Sequence, residues 1–349
     1  MASEKTSNYT RDEILSQPDI WSETLKDWQD LDLNSFPKAS DYDQALYIGC
    51  GSTYFLSRWA ARMNEALTGT ISRAVPSSDI LFHPESWLSK NRRTLLVASS
   101  RSAATTETIR AINQFKAEYE GDVIVVTCNP ENPMGSQTEH VVSAVRAQEK
   151  SIAQTRSFSS MVLGNALLIA RNISTEIPSK LKASGQNLID RNFEKMSAIA
   201  EDQTIQRFFV LGSGGLYGLA NEAMLKLKEV SLSYAESFQP MEFRHGPMSM
   251  VDSHSLVIGL LGDDGREQEL AVLRDMQALG ARTLVIAEEK PKNLDGLDDW
   301  IVLGSELPLL WRSVLYLPVL QWLAYARGLA KGLNPDRPHN LDAVVVLDN

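Results

Sequence analysis

The chain has 349 residues, 43% hydrophobic and 22% charged, an ordinary globular composition with room for about two domains. Its 34 basic and 44 acidic residues leave a net charge of −10, which excludes a general nucleic-acid binder but not a small anion held by local donors. Two cysteines, Cys50 and Cys128, make neither a disulfide framework nor a metal-ligand spacing, and indicate a reducing, cytoplasmic setting.

In chain order, the polar N-terminus MASEKTSNYTRDE lacks the apolar core of a signal peptide. Helices are expected over residues 10–35, where RDEILSQPDIWSETL spaces its apolar residues helically and a proline limits one helix. Residues 1–39 thus form a helical lead-in. Four short apolar runs follow: ALYIGCGS (45–52), TLLVASSRS (94–102), DVIVVTCN (122–129) and HVVSAVRA (140–147). Four more match them, at FFVLGSGG (208–215), SLVIGLLGD (255–263), RTLVIAEE (282–289) and DWIVLGSE (299–306), with offsets near 163, 161, 160 and 158 residues. A near-constant offset marks an internal repeat. Runs rich in Val, Ile and Leu, separated by segments of helical period, read as buried parallel strands with crossover helices. The fold class is therefore α/β, with two tandem doubly wound parallel-sheet domains at 40–175 and 200–330. A closing helix is expected over 310–330, then a tail over 331–349 ending in the strand-like AVVVLDN. The longest apolar stretch, 307–323, is interrupted by Trp311, Arg312, Ser313 and Gln321, so no membrane span is expected.

Ligands of such sheets sit beyond the carboxyl ends of the strands. The loops to examine are therefore 49–54, 99–108, 127–134, 147–158 and 212–218. In the loop after the second run, Ser100, Ser102 and Thr105 bring hydroxyls to a helix start, and Arg101 adds a planar cation. Such residues either bind a phosphate-like anion or simply cap the helix. The second copy reads GLLGDDGREQE at this place and carries Asp263 and Asp264 instead. The loop Gly49-Cys50-Gly51-Ser52-Thr53 also ends in hydroxyls, but neither it nor Gly212-Ser213-Gly214-Gly215 makes a dinucleotide or Walker motif. After the second glycine loop, Glu222, Lys226 and Glu229 fall at i, i+4 and i+7 on one helix face. That face is either a solvated salt-bridging stripe or a polar site. His245, beside Gly246 and Pro247, lies in a turn, where a histidine can be structural or can transfer protons at neutral pH. His83, His140, His254 and His339 have no metal-binding neighbours.

Together these features resemble the tandem sugar isomerase (SIS) domain family. That family includes the isomerase half of glucosamine-6-phosphate synthase and the amino-sugar-phosphate deaminases and ketose–aldose isomerases of the galactosamine-6-phosphate type. Five segments carry the likeness: Ile48 to Thr53; Ser99 to Thr108; Lys226 to Ser231 with Ala235-Glu236-Ser237 and Arg244-His245-Gly246-Pro247; Asp336 to Leu341; and the lead-in Ile14 to Trp21. The resemblance implies that Ser100, Ser102 and Thr105 hold a substrate phosphate, with Arg101, Gly51, Ser52, Thr53 and Gln154 nearby. It implies that Glu229 moves a proton between C1 and C2, that His245 opens the sugar ring from a partner subunit, and that Glu222 and Lys226 complete the network. It further implies a homodimer, a C-terminal segment closing over the site, and no need for metal or nucleotide cofactor.

The chain departs from the family pattern at several points. Ala103 and Ala104 replace the anion loop's glycine and the following polar residue. Gln154 and Arg156 stand where the synthase branch has serine and lysine. Ala343 stands where that branch places a reactive lysine, and no glutaminase domain precedes the repeat, so glutamine-driven amination is not expected. The leading expectation is an isomerase or deaminase of an anionic hexose or amino-hexose. The alternatives are a sugar–amine deglycase, an isomerase of a sulfonated sugar, and a non-catalytic sugar-phosphate sensor.

Overall fold

A computed structural model of the chain describes residues 8–290 and 296–344. The lead-in folds as helices α1 (Tyr9–Leu15) and α2 (Gln17–Asp27), then short 3-10 turns at Trp28–Asp30 and Leu33–Ser35. Pro18 sits in the first turn of α2, where a missing N–H costs no helical hydrogen bond.

The first sheet comprises β1 (Gln44–Gly49), β2 (Ser72–Pro76), β3 (Thr94–Ser100), β4 (Gly121–Thr127) and β5 (Val141–Ser143). Its helices are α3 (Ser52–Thr68), α4 (Ser77–Phe82), α5 (Thr106–Glu118) and α6 (Arg156–Ala170). A 25-residue helix α7 (Ile177–Glu201) precedes the second sheet. That sheet comprises β6 (Arg207–Gly212), β7 (Tyr234–Phe238), β8 (Ser255–Leu260), β9 (Arg282–Ala287) and β10 (Asp299–Val302). With it go α8 (Leu216–Ser231), α9 (Pro240–Phe243), α10 (Arg266–Ala278), α11 (Leu309–Arg312) and α12 (Leu317–Ala330).

The strand orders are β2-β1-β3-β4-β5 and β7-β6-β8-β9-β10, all parallel, so both sheets share one doubly wound topology. Strands β1, β3 and β8 are buried along their whole length, as expected of strands covered on both faces. The repeat extends to the glycine turns. A Cβ on Gly49 would lie 2.6 Å from the Thr53 carbonyl carbon, and one on Gly212 would lie 2.7 Å from the Leu216 carbonyl oxygen. Gly51 and Gly214 both adopt left-handed φ, +55° and +54°.

Strands β2 and β7 were not expected from the sequence. Each is five residues long, lies at a sheet edge and is only partly buried, so neither shows a continuous apolar run. The expected closing helix over 310–330 is three pieces: α11, a 3-10 turn at Ser313–Tyr316, and α12, with Pro318 in the first turn of α12. Of the strand-like tail, residues 345–349 lie outside the described residues. Among the described residues, no helix is long and apolar enough to cross a membrane.

The chain divides into two compact units. One holds the first sheet and comprises residues 19–149, 156–178 and the segment after 341. Its core packs Leu46, Ile48, Leu96, Ile112, Phe115 and Val125 between sheet and helices. The other holds the second sheet and takes in residues up to 18, 150–155 and 179–341, with Phe209, Leu211, Val257, Leu273 and Val285 in its core.

Candidate active site

In the first unit the two loops expected to face a ligand lie side by side because β1 and β3 are parallel neighbours. Connections leave them in opposite directions here, which is where ligands bind in open α/β sheets. The loop expected to hold an anion runs from Ser100 to Thr105 and ends at the N-terminus of α5, the positive end of that helix's dipole. Its shape is locked from behind: the Arg101 carbonyl accepts from Asn129 Nδ2 (2.8 Å), Thr127 Oγ1 (3.2 Å) and the Cys128 amide (3.2 Å), and Asn132 Nδ2 donates to the Ser102 carbonyl (2.7 Å). Ser100 Oγ accepts the Ala103 amide and Ser102 Oγ the Ala104 amide, both at 3.2 Å. Each hydroxyl thus uses an oxygen lone pair on the loop, and Ser102 keeps its O–H for donation. Ser100 also lies 3.2 Å from Thr105 Oγ1. Ala103, in the family's glycine position, takes a left-handed φ of +50°, so the backbone conformation that favours glycine is kept without one.

The other expected anion ligands divide. Ser52 begins α3 and is buried beside the glycine turn. Thr53 turns its hydroxyl inward, accepting from the Cys50 amide (3.0 Å) and donating to the Cys50 carbonyl (2.9 Å), so its evident work is to hold the turn. Arg101 directs its guanidinium to the Glu149 carboxylate (3.5 Å) and the Ala343 carbonyl (2.9 Å). Glu149, whose side chain is fully buried, also accepts the Ser157 amide (3.1 Å) and hydroxyl at the start of α6. Sequence reasoning missed Glu149, which sits in an irregular loop with no periodic signal. Burial pushes both thiols, Cys50 and Cys128, upward, so neither is a ready thiolate nucleophile.

In the second unit, α8 buries the face that carries its charges. Lys226 is 2% exposed, with Nζ 3.4 Å from Glu222 Oε1 and bonded to Glu229 Oε2. Burial pulls the ammonium's pKa down, but the two carboxylates more than offset that and hold it above its ordinary 10.5. Glu222 is wholly buried, whereas the Glu229 side chain retains 19% exposure. The solvated-stripe reading therefore fails for this face. Apolar packing alone would not place two carboxylates and one ammonium there.

Gln154 sits on the loop 150–155, which its own unit immobilises. Glu13 accepts the amides of Lys150 (2.6 Å) and Ser151 (3.3 Å), and the Ile152 amide donates to the Asp336 carbonyl (3.2 Å). Asp336 in turn accepts the Thr10 amide (2.7 Å) and hydroxyl (2.8 Å) at the start of α1. Gln154 Oε1 is buried with no hydrogen-bond partner among the described residues, an acceptor left unused. His245 lies exposed in the turn after α9, its amide bonded to the Glu242 carbonyl (3.0 Å) and followed by Gly246 at φ +129°. Among the described residues, no hydrogen bond or ion pair joins it to Glu229. Arg244 beside it pairs with Asp275 (2.8 Å). Among the described residues, no cluster of three or more His, Cys, Asp or Glu could hold a metal ion.

The chain is 25% identical over 346 residues to a glutamine–fructose-6-phosphate aminotransferase (isomerizing) of Methanothermobacter thermautotrophicus, covering 96% of this chain but only 57% of that protein. It is 26% identical over 358 residues to a Streptomyces coelicolor protein named provisionally as a D-galactosamine-6-phosphate deaminase, covering 95% and 91% of the two chains. The crystal structure of a tagatose-6-phosphate ketose/aldose isomerase from Escherichia coli superposes with a TM-score of 0.87 at 23% identity, covering 96% of each chain. The SIS domain model matches residues 40–171 and 203–303. With both sheets matched over well more than half its length, the chain belongs to the SIS domain family.

Proposed function

We propose that this protein is an aldose–ketose isomerase, a deaminase, or both, acting on a hexose or amino-hexose that carries a 6-phosphate or similar anion. The observation that carries the reading is the buried Glu222–Lys226–Glu229 cluster, whose one partly exposed member is a carboxylate. The hydroxyls of Ser100, Ser102 and Thr105, with Ser52, take the anion at the start of α5. His245 opens the ring by giving a proton to the ring oxygen as the anomeric hydroxyl loses one. Glu229 then removes the proton from C2 or C1 and returns it to the other carbon through an enediol, or an enolamine where C2 bears nitrogen. Lys226 balances one of the two carboxylate charges, and Gln154 Oε1 accepts from a sugar hydroxyl or amine. Where C2 bears nitrogen, protonation at C1 leaves a C2 imine, which takes up water and releases ammonia to give the ketose; proton transfers and water suffice for either outcome.

The relatives' names include both a ketose/aldose isomerase and a deaminase, and these reactions share the same proton shift. Supporting catalysis over mere sugar sensing, the charged cluster retains a base and its counter-ion. The expected partners are a small anionic sugar and a second copy of the chain that receives His245. The expected setting is the cytoplasm. The test assays interconversion and ammonia release on fructose-6-phosphate, glucosamine-6-phosphate, galactosamine-6-phosphate and a sulfonated hexose. Glu229→Gln should lower turnover by about 10²- to 10⁴-fold while keeping the fold. Full turnover in that variant would refute Glu229 as the base.

A further inference from the structure

We infer that Arg101 is a positioning residue: its guanidinium clamps the C-terminal segment at Ala343 to the anion loop, rather than binding the substrate's anion. The inference rests on the reading of that loop as the anion site. Three observations support it. The Arg101 side chain is only 10% exposed, and both its terminal nitrogens have protein partners, Nη1 at Glu149 and Nη2 at the Ala343 carbonyl. The Glu149 side chain is fully buried and is itself fastened to the start of α6 through Ser157, so the anchor is fixed independently of the tail. The Arg101 backbone is held independently, with its carbonyl accepting three hydrogen bonds from Thr127, Cys128 and Asn129.

Charge points the same way. The Glu149 carboxylate neutralises the guanidinium, so the loop offers an anion hydroxyls and a helix end rather than a net cation. The tail contact is to a backbone carbonyl, so it does not depend on the side chain at 343. A planar fork can hold two partners at fixed geometry, which a lysine ammonium at the same position cannot reproduce. This separates the clamp from a ligand role.

The experiment compares wild type, Arg101→Met and Arg101→Lys as full-length proteins, with circular dichroism to confirm folding. Hydrogen exchange is followed at the amides of residues 342–344, and binding of inorganic phosphate is measured by calorimetry. The clamp predicts that both variants exchange these amides about tenfold faster or more, the loss expected for one hydrogen bond to a charged donor. It also predicts that Met and Lys variants bind phosphate alike. Wild-type protection of 342–344 in either variant overturns the inference, as does phosphate affinity that survives in Arg101→Lys and collapses in Arg101→Met. Failure of the wild type to bind phosphate would refute the anion loop, with the exchange result still deciding the clamp.

Discussion

At the scale of single residues, Lys226 shows how chemistry and stability are joined. Removing its ammonium leaves Glu222 buried without its counter-charge. We expect Lys226→Met to cost about 3–5 kcal/mol in urea denaturation, and Glu222→Gln in the same chain to restore most of it. Because the lysine's pKa is raised, its contribution is complete below its ordinary 10.5 and fades only as pH rises through the folded-state value. The wild type should therefore show no loss from this group between pH 6 and about 9. Ala103 tests two opposed terms. A left-handed alanine costs roughly 1–2 kcal/mol, which glycine would relieve. Against that, glycine gives up about 0.8 kcal/mol of buried methyl and gains unfolded-state freedom worth about 0.5–1 kcal/mol. Ala103→Gly should thus shift stability by less than about 1 kcal/mol, whereas the β-branched Ala103→Val should cost about 2 kcal/mol or more. The sequence placed Glu222, Lys226 and Glu229 on one face. It could not say whether that face was wet, because helical spacing is the same for a salt-bridged surface and a buried cluster. Nor could it show that Arg101 and Thr53 turn to internal partners, since side-chain direction in an irregular loop depends on residues distant in the chain.

At the scale of elements, the two copies keep one scaffold and differ in what their loops present. Where the first sheet presents hydroxyls, the second presents Glu269, 4% exposed and bonded to Ser213 of the glycine loop, with Asp263 paired to Arg312. Such carboxylates disfavour an anion there. Burial pushes the Glu269 carboxyl above its ordinary 4.5, against the pull of Ser213 and Arg266. An acid whose pKa is raised on folding stabilises most at low pH, and that contribution falls as pH climbs from about 4.5 through the raised value. Glu269→Gln should therefore raise the melting temperature more at pH 8 than at pH 4, and an equal shift at both would contradict the assignment. The six interior strands were legible because buried parallel strands are apolar on both faces, and the edge strands β5 and β10 because Val141-Val142 and Trp300-Ile301-Val302 still make short apolar runs. The edge strands β2 and β7 were not, since SRAVP and YAESF interleave polar and charged residues with apolar ones and leave no continuous apolar run.

At the scale of the whole molecule, the proposed homodimer gives a sharp expectation, because His245 is exposed on its turn. If it serves a partner's site, then mixing inactive Glu229→Gln and His245→Asn proteins after subunit exchange should recover about one quarter of wild-type activity, the statistical share of sites with both residues intact. No recovery, or an active monomer in gel filtration, would contradict the shared site. The central claim, proton transfer between C1 and C2 by Glu229, is tested most directly by NMR of the sugar panel incubated with the protein in D₂O. The account predicts deuterium at C1 or C2 of at least one anionic sugar with the wild type, and its loss in Glu229→Gln. Binding of that sugar without any deuterium uptake would contradict it and leave a sugar-binding protein in place of an enzyme.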